Sequence, residues 1–275
     1  MDGMLADSGK FYGNASTVPF CKGTKALTFL IALFSSVPLP IGTVWAGNFQ
    51  VTPIRIFLSG KTQSALLTLH NNSAETLRFQ LSVHAWDQSP DGEILLKPTE
   101  DIVFFPPLLT LAPAEERKIR VGRVTPIAES EKSYRISVEE LRSLKRQAES
   151  QQGGQVRLLI TMRIPIFLQP NKQVVEGRVQ ALTVRNGLLS FQVRNTGNTH
   201  FVAEEIKVRA YGAEGEALYE RGKEGWYILA GGLRTYDLEL PKKDCARTKV
   251  LAVEVKTGRG TFQERLDVPR GACGQ

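Results

Sequence analysis

From about residue 47 onward the apolar positions repeat with a period of two. Leu77, Phe79, Leu81, Val83 and Ala85 alternate with Arg78, Gln80, Ser82 and His84. Neighbouring residues of an extended chain point to opposite faces, so this pattern predicts a strand with one buried and one wet face. The same signal predicts strands at Ser64–Leu69, Lys118–Val121, Ser133–Val138 and Val156–Phe167, separated by the turn-forming clusters "NNSAE", "SPDGE" and "LAPAEE". Only "SVEELRSLKRQAES" has the composition of a helix. It lacks an apolar stripe, and its second half reads as a loop. The rhythm breaks at Gln169–Lys172 and then restarts in segments such as "RVQALTVRN", "LLSFQVRNTG" and "KVLAVEVKT". Short strands in this number on both sides of one break predict an all-β chain, with two immunoglobulin-like β-sandwich domains in tandem at 47–170 and 171–275.

The first 46 residues follow a different pattern. Lys22 and Lys25 precede the apolar run Ala26–Val37, and Val44 and Ala46 stand at the third position before, and just before, a cut ahead of Gly47. A basic region, a short apolar core and small residues at the cut predict a signal peptide over 1–46. An uncleaved membrane anchor is the competing reading. The run is short for a span and is soon broken by Pro38 and Pro40, so no membrane span is expected in the mature form.

Export changes what the cysteines mean. Cys21 leaves with the leader, and the mature chain keeps Cys245 and Cys273. In an oxidising compartment the two read as one disulfide. Their spacing is not that of a redox pair, and without nearby histidines they do not form a closed metal site. Apolar residues make up 42% and charged residues 23%, a globular balance. The net charge of +7 is spread along the chain rather than run together, so nucleic acid is not an expected partner. It suits solubility or acidic partners.

Catalytic raw material is scarce. The three histidines, His70, His84 and His200, lie in or beside strand patterns, and no nucleophile elbow, zinc-protease helix or phosphate loop is present. Glu139 and Glu140 are adjacent, so on a strand they face opposite sides and do not pair easily as acid and base. No enzyme, cofactor or metal is expected. The informative stretch is Gln155–Pro170. Val156, Leu158, Ile160, Met162, Ile164 and Ile166 share one face, and the other is only partly polar. Such a strand is either buried in a sandwich or domain interface, or it lends its edge and alternate side chains to a partner.

Several segments in order resemble the PapD-like pilus-assembly chaperones. "FQVTPIRIFL" is similar to the family's first strand, with its basic residue at Arg55. "LLTLHNNSAETLRFQLSVHAW" is similar to its second and third strands. "DIVFFPPLLTLAPAEERKIRV" resembles its proline-rich approach and following turn, with Ala114 where glycine is usual. "YRISVEEL" and "RIPIFLQP" resemble the last two strands of its first domain. The resemblance implies a periplasmic chaperone that binds pilus subunits by donor-strand complementation and delivers them to an outer-membrane usher. It further implies two basic residues that hold a subunit's terminal carboxylate in the cleft between domains. Arg55 matches the first. For the second, strict counting back from Pro170 lands on Pro165, and Arg163 has the same parity two residues earlier. This departure is similar to the archaic, spore-coat-type branch. Val156, Leu158, Ile160, Met162 and Ile164 are the expected donor residues. A secreted two-domain adhesin or carbohydrate-binding module is the alternative, with Trp86 and Trp226 as its candidate aromatics.

Overall fold

The structure, a computed structural model, describes residues 49–142 and 158–273. The expected leader, Val156 and the second half of "SVEELRSLKRQAES" lie outside them. Of that segment, "SVEEL" is strand, not helix. It closes β9 (Lys132–Leu141), whose Tyr134, Ile136 and Val138 are buried at every second position.

The first sandwich packs two sheets. One has the order β1 (Phe49–Thr52), β3 (Ser64–Asn71), β8 (Glu116–Arg123), β6 (Ile102–Phe105). The other runs β2 (Ile56–Leu58), β10 (Thr161–Leu168), β9, β4 (Leu77–Gln88), β5 (Ile94–Pro98), with β7 (Leu108–Leu111) also on β4. Alternation along β4 is as read: Leu77, Phe79 and Leu81 enter the core formed with Leu67, Ile119 and Ile136. Asn71, fully buried, ties two turns together. Its side-chain amide donates to the carbonyls of Glu75, Leu111 and Ala112, and its Oδ1 accepts from the Ser73 amide. Buried polar groups require such partners. The turn so anchored contains Ala114 at φ 59°, in the left-handed region.

The second sandwich pairs β11 (Gly177–Arg185), β12 (Leu188–Asn195) and β16 (Leu233–Glu239) against a sheet ordered β14 (Ala217–Lys223), β13 (Phe201–Tyr211), β17 (Val250–Thr257), β18 (Gly260–Asp267), with β15 (Tyr227–Ile228) on β13. Asn186 and Gly187 both take positive φ between β11 and β12, the conformation a two-residue hairpin demands. Cys245, at the end of the short helix α1 (Lys242–Cys245), is bonded to Cys273, with Cα atoms 5.7 Å apart, as the exported context predicts.

The two sandwiches belong to one compact unit. Trp86, Phe167, Tyr227 and Leu229 form a separate apolar cluster between them. Around it, Gln88 Nε2 donates to the Tyr227 carbonyl at 2.9 Å, and Thr235 N donates to the Pro90 carbonyl at 2.7 Å. His200 stacks on Phe167, ring centres 3.6 Å apart, and its Nδ1 lies 2.6 Å from the buried Glu131 carboxylate. Glu131 is distant in sequence and reaches His200 only across the interface.

Candidate partner-binding cleft

Arg55 sits where the chain leaves β1, in one sheet, and enters β2, in the other. β2 runs parallel to β10 with Ile56 beside Ile166, so the preceding residue, Arg55, comes alongside Pro165. Both line an open cleft of about 350 Å³ between the sandwiches, and Arg163 lines it too. The two arginines singled out from the sequence thus line one cleft, with Pro165 alongside Arg55 in the strand register.

A third guanidinium lines the same cleft and was missed from sequence. Arg135 lies on β9 opposite Pro165 in the strand register, two places from the partner of Arg163. It is only 6% exposed, and its Nε has no hydrogen-bond partner. Burial lowers its hold on its proton, the Tyr227 hydroxyl opposes that shift, and the charge of Arg163 adds to it. None of the ion pairs among the described residues involves Arg55, Arg135 or Arg163. Three cations without an ion-pair partner among the described residues thus share one cleft with Glu204 and Glu224, and a desolvated guanidinium among them is chemically suited to an anion. Parity in "SYRISVEEL" puts Arg135 opposite the core face, but nothing in the sequence sets its register against Arg163.

The neighbouring stretch of β10 has an open edge. Glu140 N donates to the Ile160 carbonyl, so even-numbered residues turn their backbone groups toward β9 and odd-numbered residues turn theirs away. On that outer side β2 covers only Ile166–Leu168, and Gln169 N donates to the Leu58 carbonyl. Among the described residues no strand lies beside the outward groups of Thr161 and Arg163. Pro165, which lacks an N–H, occupies an outward position where none is used, as edge prolines do.

Side-chain exposure changes along the even face. Ile164 is 3% exposed and belongs to the chain's own core with Ile166 and Leu168, so as a donor residue it is corrected. Met162 and Ile160 are half-buried against the margin of that core, and Leu158 is 77% exposed. The strand expected from Val156 begins at Thr161. Trp86 is buried in the interface and offers no surface for a sugar. Among the described residues no group of His, Cys, Asp and Glu is placed to hold a metal, and no helix is long and apolar enough to cross a membrane.

Residues 48–173 match the family model for the N-terminal domain of PapD, described as a pili and flagellar-assembly chaperone. No curated protein matches the chain in sequence. Among solved structures, the class 5 fimbriae chaperone CfaA is 15% identical, with a TM-score of 0.53, covering 81% of this chain and 100% of that one. The CsuC–CsuE chaperone–tip adhesion subunit pre-assembly complex, from archaic chaperone-usher Csu pili of Acinetobacter baumannii, matches at 16% identity and TM-score 0.52, covering 82% of this chain and 99% of that one. The complex of Salmonella enterica SafA pilin with the SafB chaperone matches at 15% and 0.50, covering 79% and 96%. At these identities the structures speak to the fold, which they share across both sandwiches. The first sandwich thus matches the PapD N-terminal chaperone domain, and the chain as a whole shares the two-sandwich fold of the solved pilus chaperones.

Proposed function

We propose that the protein is a periplasmic chaperone that holds pilus subunits by donor-strand complementation and passes them to an outer-membrane usher. One observation carries the reading: the open edge of β10 runs straight into a cleft lined by three arginines. A subunit strand laid along Thr161 and Arg163 gains main-chain hydrogen bonds, and Leu158, Ile160 and Met162 project on the face that continues the chaperone's core. Val156, outside the described residues, has the same parity in the sequence. Each apolar side chain so covered contributes roughly 1.5–3 kcal/mol before the cost of association. The subunit's terminal carboxylate enters the cleft beside Arg55, Arg135 and Arg163 and fixes the register. A slip of one residue would turn every lent side chain away. Domains at 47–170 and 171–275 behind a cleaved leader at 1–46 complete the proposal. No bond is made or broken, and the work needs no catalytic group.

The test is co-expression with a pilin-like subunit, followed by co-purification from the periplasm. Wild type retains the subunit; Arg55→Ala combined with Arg163→Ala loses it, and so does a subunit shortened at its C-terminus. Retention of the subunit at full yield by the doubly substituted chaperone defeats the carboxylate assignment.

A further inference from the structure

Across the cleft from the arginines the second sandwich contributes Val202 and Trp226 together with the carboxylates of Glu204 and Glu224, while Ile54 lines the cleft next to Arg55. Trp226 is 45% exposed, Ile54 is 65% exposed, and both line the cleft with Val202. The placement of Trp226 is fixed by its backbone. Its carbonyl accepts from the Ala203 amide at 3.0 Å. Gly225, just before it, passes so close to β13 that an added Cβ would meet the Ala203 carbonyl oxygen. The indole also rests edge-on against Tyr227, ring centres 5.6 Å apart. A large apolar ring is thereby held at the rim of a charged cleft rather than folded into either core.

We infer that the cleft reads the last residue of the partner as well as its carboxylate: Trp226 and Ile54 flank the terminal side chain and select an aromatic or branched aliphatic one. This rests on the carboxylate capture proposed above. The occupant follows from the chemistry of the two walls. Only a C-terminal residue carries a free carboxylate and a side chain on the same Cα, so only it meets cations on one wall and an indole on the other within one cleft. Glu204 and Glu224 on the Trp226 side add selection, because an acidic terminal side chain would face them.

The experiment titrates the full chain, by calorimetry, with one host peptide of alternating apolar and polar residues. The peptide ends in Phe, Leu, Ala or Asp as the free acid, and in Phe as the amide. Phe and Leu acids are expected to bind about tenfold more tightly than Ala, with Asp weakest. Trp226→Ala brings Phe and Ala within about twofold of each other and keeps the preference for acid over amide; Trp226→Phe restores the selection. Thermal melts confirm that both variants fold. If acid is preferred over amide but all last residues bind alike, or if Trp226→Ala leaves the selection intact, the inference is overturned and the carboxylate reading stands. Equal binding of acid and amide overturns the carboxylate reading and this inference with it.

Discussion

The guanidinium of Arg135 lies 3.9 Å from the centre of the Trp86 ring, inside the junction of the two sandwiches. A cation–π contact of this kind is worth about 2 kcal/mol when desolvated. Burying a guanidinium with no carboxylate costs several kcal/mol. The balance is unfavourable in the free protein and improves when an anion arrives. Arg135→Met is therefore expected to melt at or above the wild-type temperature while subunit affinity falls about tenfold or more, as for loss of a charge-assisted hydrogen bond. Melting curves and subunit co-purification measure the two effects. A sharply lowered melting temperature with full retention would make Arg135 a structural residue instead.

Acid weakens the first sandwich through Asp101. The Tyr134 hydroxyl donates to its Oδ2 at 2.6 Å and Lys132 Nζ lies at 3.1 Å. The Tyr134 hydrogen bond is the largest influence and burial, which opposes it, the next; with Lys132 added, the carboxyl is held below its ordinary range. A depressed folded pKa adds stability that is present above the unfolded value, about 3.9, and is lost as pH falls through the folded value. Asp101→Asn is expected to lower the urea midpoint at pH 7 and to match wild type near pH 2. An equal deficit at both pH values would locate the effect in packing rather than charge.

At Ala114 the backbone stands at φ 59°, where a Cβ crowds the following carbonyl. The family's usual glycine is relieved of that contact. Ala114→Gly is expected to raise stability by about 0.5–1 kcal/mol, the steric gain reduced by the greater freedom of glycine in the unfolded chain. Denaturant unfolding checks it, and a lower midpoint would mean that the Asn71-anchored turn gains more from the methyl than the strain removes.

How far the sequence could be read follows from the range of each signal. Period-two alternation is local, so Leu77, Phe79 and Leu81 found their faces without any knowledge of neighbours. Cys245 and Cys273 were paired by elimination within the part expected to be exported. Arg135 was missed because it stands one strand away from Arg163, and only the β9–β10 register brings them together. Ile164 was misplaced for a related reason. Parity assigns a face but does not say where along the strand that face leaves the core, and that point depends on where β2 stops covering β10. The helical composition of "SVEEL" was overridden by tertiary context, since Tyr134, Ile136 and Val138 on the same strand are worth more buried than any local propensity.

The Cys245–Cys273 bond closes a loop over a sequence separation of 28 residues, and Cys245 packs in the second core. Loss of such a crosslink costs roughly 3 kcal/mol in the chain-entropy model. Cys273→Ser, which leaves the buried Cys245 in place, is expected to lower the stability of the second sandwich by about that amount and to leave the first core untouched. Hydrogen exchange resolved by region is the measurement. Faster exchange in β3, β4 and β9 to the same degree as in β13 and β17 would mean that the sandwiches unfold as one.

The margin of the core along β10 makes the donor strand testable residue by residue. Leu158, Ile160, Met162 and Ile164 share a face, yet they run from open to solvent, through half-buried, to enclosed. If the face is lent to a subunit, binding and folding should separate along it. Leu158→Asp places a carboxylate in water in the free protein, so the melt should not move; in the complex it would enter an apolar groove unpaired and weaken binding. Ile164→Asp puts the same carboxylate into the chaperone's own core and should unfold it, at a cost of about 4 kcal/mol or more. Ile160→Asp should fall between, losing some stability and most of the subunit. Melts of the three variants, set beside the subunit recovered with each, form the test. Loss of binding that tracks loss of stability across all three would leave no separate role for the strand. Leu158→Asp melting like wild type and recovering a full complement of subunit would place the lent strand elsewhere.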